Sequence, residues 1–145
     1  MITQTRYRSV VRTVRDVVAD HLRVAAVVSE DGEGFHEDLF YIRDDVADDY
    51  TSSAIDAIGA EMLFELWNRE YQGELFAAGP MRYAFHRYDD AVIVMCHDEG
   101  VEDDVGDFAV VVSIDADTPA PIDAVAEAVC DGLHGDGSPT DRSKD

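Results

Sequence analysis

Tyr7, Val10, Val11, Val14, Val17, Val18 and Leu22 recur at helical spacing, which predicts an amphipathic helix over 5–21. A strand follows, Arg23 to Ser29. SEDGEGFHED is a polar link with two glycines, and LFYIR at 39–43 is the next strand. DDVADDYTSS carries helix-start signals: Ser53 with Asp56 three residues later resembles a capping box, and Thr51 is an alternative cap. A helix then runs from about 52 to 71, and Gly73 to Pro80 breaks it. Met81 to Tyr88 and Ala91 to His97 read as a hairpin about a tight turn at Asp89-Asp90. A last strand, Phe108 to Ile114, follows an acidic loop at 98–107. Pro121 suits the first turn of a closing helix that reaches about Leu133.

VAAVV, AVIVM and FAVVV are apolar on both alternating faces. A half-exposed strand would alternate, so the sheet is expected to be covered on both sides. The expected fold is α+β, in the order α-β-β-α-β-β-β-α. A five-stranded, mainly antiparallel sheet carries one helix on one face and the two terminal helices on the other. One domain spans 1–134, and 135–145 is a flexible polar tail.

Charge changes this picture. The 145 residues carry a formal net charge of −21. Asp outnumbers Glu by 22 to 10, ten of the eleven cations are Arg, and the single lysine is Lys144. Small carboxylates without lysine stems suit a very salty cytosol, where salt screens repulsion over about 3 Å at 1 M. The composition resembles that of haloarchaeal cytosolic proteins. With no signal-peptide core and no apolar run of membrane-spanning length, the protein is expected to be cytoplasmic and to bind no membrane. The field repels phosphate, so nucleic acid is not an expected partner.

The element order is similar to that of roadblock/LC7, longin and profilin-like folds over residues 5–133. LFYIRDDVADDYTSSAID and GELFAAGPMRYAFHRYDDAVIV also resemble a family of short haloarchaeal proteins of unknown function. That family shows a Tyr-x-Arg-Asp-Asp element, here Tyr41 to Asp45, and a turn before a late strand, here Tyr88 to Ala91. The turn departs from the family's Phe-Glu-Asp-Ala-like form. The resemblance implies no catalytic residues.

Several chemistries lack their residues. A lone tail lysine excludes a P-loop and a Schiff base. DGEGF holds only Gly-x-Gly with no helix start after it, and GxSxG is absent. The 98–107 loop crowds six carboxylates but misses the calcium template, with Asp103 sixth and Ala109 twelfth. It reads as solvated surface. A two-residue turn pairs Ala84 with Met95, His86 with Ile93 and Arg82 with His97. His86 and His97 then lie roughly 13 Å apart and cannot share an ion. Cys96 reads as a core residue beside Asp98 and Glu99, with a raised pKa. Cys130 and His134 could supply two metal ligands, but the favoured reading is a buried thiol and an exposed histidine. No catalytic residue, metal or cofactor is expected.

Two features exceed these plain readings. Arg8, Arg12 and Arg15 share one helical face, in a segment 1–23 whose net charge is +3. They would pair with acidic loops or meet a partner. The middle helix also carries more apolar residues than one core stripe needs: Leu63, Phe64, Trp67 and Tyr71 widen the stripe of Ile55, Ile58, Met62 and Leu66. Either GELFAAGP folds back over them or a second copy does, as a homodimer. The preferred expectation is a non-enzymatic regulatory or scaffold module acting through protein contacts. The alternative is a small-ligand sensor of PAS-like kind, with Tyr83 and Phe85 lining its pocket.

Overall fold

The computed structural model describes residues 4–30, 35–79, 81–98 and 107–134. The acidic segment 99–106 and the tail 135–145 lie outside the described residues. Helix α1, Gln4–Val18, buries Tyr7, Val10, Val14 and Val18, the i, i+3, i+4 stripe of the sequence. It stops earlier than its pattern, because Ala19 takes a left-handed φ of 54°. A 3-10 turn, Ala19–His21, leads into strand β1, Leu22–Glu30.

Strand β2, Phe35–Ile42, begins before LFYIR, inside what the glycines mark as link. A short helix that the pattern did not announce follows, α2 at Asp44–Ala47. Its single inward residue, Val46, is too little for a periodic signal. Helix α3, Ser52–Leu75, is capped by Thr51, whose Oγ1 accepts from the Ala54 amide at 3.1 Å. The expected Ser53–Asp56 capping box gives way to the alternative, because Ser53 already lies inside the helix. α3 also runs through Gly73 to Leu75, so GELF extends the helix and does not fold back.

Strands β3 (Tyr83–Arg87), β4 (Ala91–Asp98) and β5 (Asp107–Asp115) precede helix α4, Ile122–His134. Tyr88 N–H donates to the Ala91 carbonyl at 2.8 Å, closing the two-residue turn. The register follows: Ala84 faces Met95 and His86 faces Ile93. The sheet order is β2-β1-β5-β4-β3, with every neighbouring pair antiparallel.

The two faces differ in depth. α1 and α4 cover one, packing Val14, Leu22, Val94, Val112, Ile114 and Val129 into a continuous core. Each such side chain stabilises the fold by about 1.5–3 kcal/mol. The two helices touch closely: Thr13 Oγ1 donates to the Ala128 carbonyl at 2.7 Å. On the other face, among the described residues, α3 stands over a smaller cluster of Val28, Met95, Ala109 and Val111, with Met62 and Ile93 packed against it.

Candidate functional site

Because α3 rests on the β2-β1-β5 side of its face, a cavity of about 600 Å³ opens between helix and sheet toward β3. Val28, Ile93, Met95 and Val111 form its apolar floor, and Ile55, Ile58 and Met62 of α3 its roof. Strand β3 contributes Ala84 and His86. Tyr83 and Phe85 are not among the lining residues. They alternate to the opposite side of the strand, where the Tyr83 hydroxyl donates to Asp123 of α4 and Phe85 is exposed. Alternation separated the two sets correctly, but the open space lies on the other face from the one expected.

Apolar exposure is concentrated. Of the nine large hydrophobic residues exposed among the described residues, eight fall between Ile58 and Tyr88, and only Val17 lies elsewhere. On α3 these include Phe64, Tyr71 and Leu75, followed by Phe76, which is 77% exposed. The side chains of Leu63 and Trp67 lie outside the described set. β3 adds Tyr83 and Phe85 on an edge strand whose outer backbone has no partner strand.

A cationic centre emerges that sequence reasoning passed over. Arg43 donates through Nη1 and Nη2 to the two Asp115 oxygens at 2.8 and 3.1 Å, and through Nη1 to the Asp20 carbonyl at 2.8 Å. Its Nε donates to Asp45. His21 Nδ1 lies 3.2 Å from Asp115, and Arg23 donates to Ser113 Oγ at 3.0 Å. The Tyr-x-Arg-Asp-Asp element pointed to Arg43 without giving it a role. Its partner is 72 residues away, a distance no local pattern spans.

The Arg43 guanidinium, then His21, hold the Asp115 carboxyl below the usual carboxylate range. A carboxyl depressed in the folded state stabilises fully above its unfolded value of about 3.9. That contribution is lost as pH falls through the lower folded value. Arg43→Ala is expected to cost about 2–3 kcal/mol at neutral pH, read as a lower melting temperature whose deficit shrinks below about pH 4. Arg43→Lys should recover only part, since one ammonium cannot make the bidentate contact.

A family described as a domain of unknown function, DUF7522, matches residues 8–134. The chain belongs to this family. A search of curated proteins found no match. Among solved structures, this DUF7522 chain is similar to Myxococcus xanthus MglB at 12% identity, covering 97% of each chain with a TM-score of 0.62. It is similar to the gliding protein MglB of Thermus thermophilus at 13% identity, covering 96% of each chain, TM-score 0.55. A roadblock/LC7 domain from Streptomyces avermitilis matches at 13% identity over 86% of this chain and 91% of that one, TM-score 0.55. At these identities the likeness shows the fold, which is of roadblock/LC7 type.

The other candidate residues of the DUF7522 chain fall as follows. Arg8, Arg12 and Arg15 are all exposed on α1. Arg15 lies 3.5 Å from Asp20 and 5.8 Å above the Tyr41 ring. His21, Asp115 and Asp117 bring their ligand atoms within 4.8 Å of one another. A cation there would compete with Arg43 for both Asp115 oxygens, so the cluster is an ionic clamp first. Cys96 is buried, with Sγ 3.9 Å from the Ala126 carbonyl. The neighbouring Cys130 thiol and burial push the Cys96 thiol far up, so it is no nucleophile at neutral pH. Cys130 itself is exposed, contrary to the buried thiol expected, although its thiol reaches that of Cys96. No helix among the described residues is long and apolar enough to cross a membrane.

Proposed function

We propose that the protein is a non-enzymatic regulatory or scaffold module of a halophilic archaeon's cytosol. It pairs with a second copy and offers the paired surface to a protein partner. The observation that carries this reading is the exposure of Phe64, Tyr71 and Leu75 along α3 and of Phe76 just after it. In a chain of net charge −21, such a patch has a cost in water that only burial removes. An edge strand beside it supplies unpaired backbone groups for a matching strand. A two-fold arrangement lets one surface satisfy itself. A similar structure, an MglB, is described with a tetrameric arrangement, and self-association of a like fold supports the same behaviour here.

The reading is tested by light scattering coupled to size exclusion in molar KCl. The expected species at tens of micromolar has twice the 16.0 kDa chain mass. Phe64→Asp combined with Tyr71→Asp should weaken pairing by a hundredfold or more, as removal of about 3 kcal/mol of buried aromatic contact requires. Both side chains are exposed in the single chain, so the variant should keep its helical signal. A monomer of the unaltered protein at that concentration overturns the reading.

A further inference from the structure

We propose that the cavity beneath α3 binds a small organic cation with an apolar body, an alkyl- or arylammonium ion. Its volume of about 600 Å³ lies within the roughly 300–1,000 Å³ of small-molecule pockets. Floor and roof are apolar and accept a hydrocarbon body: Val28, Ile93, Met95 and Val111 below, Ile58 and Met62 above. The polar lining decides the sign of the ligand. Glu37, Glu61, Glu65, Asp89 and Asp90 supply five acidic residues, while the Asp38 carboxylate turns to the Tyr7 hydroxyl on the α1 side of the sheet. Arg23 is the one arginine among the lining residues, and it is engaged by Ser113 at 3.0 Å and Asp115 at 3.8 Å. An anionic ligand would enter against this wall, whereas a cation is drawn in by it at close range.

Glu37 of β2 gives the head group a place. Burial, and then its contact with Asp56 in the first turns of α3, raise the Glu37 carboxyl above the usual range. An ammonium group, with several N–H donors, suits the Glu37 carboxylate, which lines the cavity. Tyr50 and Tyr88 also line the cavity, and each offers an aromatic face that attracts a cation. The site is on the inner side of α3, so it does not depend on whether the outer aromatic residues pair with a second copy.

Three probes of one shape and different charge test the proposal: 4-phenylbutylammonium, 4-phenylbutanol and 4-phenylbutanoate. Each is titrated calorimetrically into the full chain at one KCl concentration at which it is folded. The expected result is one ammonium bound per chain, the alcohol about tenfold weaker, and no detectable binding of the carboxylate. Glu61→Gln with Glu65→Gln, which removes two charges from the polar lining, should lower ammonium affinity about tenfold and affect the alcohol far less. Ala26→Leu, on the cavity lining, should weaken ammonium and alcohol alike, with circular dichroism confirming the fold. No ammonium binding at millimolar concentration overturns the proposal. So does an alcohol bound as tightly as the ammonium, or an ammonium affinity indifferent to the glutamine pair. The oligomeric state of the same samples is read separately, so a monomer that binds the ammonium rejects the pairing alone.

Discussion

Transfer from molar to millimolar KCl is expected to unfold the protein in part. Thirty-two carboxylates face eleven cations in the sequence, and folding draws them together. Arg15, Arg23, Arg43 and His21 form ion pairs among the described residues, but eleven cations cannot offset thirty-two carboxylates. At 1 M salt the screening length is about 3 Å, shorter than most distances between surface carboxylates. At 0.01 M it is about 30 Å, and repulsion spans the domain. The expected loss is on the order of 5 kcal/mol, comparable with the whole stability of a domain. Melting followed by circular dichroism over a KCl series checks this, and a flat melting temperature would refute it. Millimolar calcium should add nothing once KCl is molar. A calcium-dependent rise abolished by Asp103→Asn with Asp104→Asn would instead make the 98–107 loop a specific site, since a bound ion stabilises by mass action.

The second large effect lies where α1 meets α4. A Cβ built on Gly132 would come 2.5 Å from the Val10 Cα and 2.8 Å from its backbone nitrogen. Both are main-chain atoms in the middle of α1, so no side chain can swing aside. Gly132→Ala gains up to about 1 kcal/mol of helix propensity. It must also push two packed helices apart, and such overpacking costs about 1–3 kcal/mol or more. The net expectation is destabilisation of about 2 kcal/mol, with Gly132→Val worse. The Thr13 bond to Ala128 would lengthen with it. A chemical denaturation midpoint unchanged by Gly132→Ala would show that the helices can separate freely, against the close contact described.

Periodicity revealed what neighbours in sequence decide. The stripe of Tyr7, Val10 and Val14 located α1 and its buried face, and the Asp89-Asp90 turn determined the β3–β4 register down to the residue pairs. Double-sided apolar runs foretold helices on both faces. What it missed depends on contacts between distant segments. Gly73 reads as a breaker, yet the helix continues to Leu75, since one glycine costs only about 1 kcal/mol. Arg43 looks like one more surface cation until Asp115 arrives beside it. Tyr83 and Phe85 were sorted onto one face rightly, but which face holds free space is set by how far α3 stands from the sheet. No residue of β3 records that distance.

The unequal depth of the two faces has a dynamic consequence. α1, α4 and the central strands share one dense core and should open to solvent only when the whole domain does. Among the described residues α3 meets the sheet through a small cluster over one side of its face, so its 24 residues are expected to form a cooperative unit of lower stability. Such a unit can detach while the rest stays folded. The segment bearing the exposed aromatic residues is therefore the one whose position can be reset at small cost. Anything that fills the gap under it, or grips its outer side, acts on the least tightly held part of the molecule.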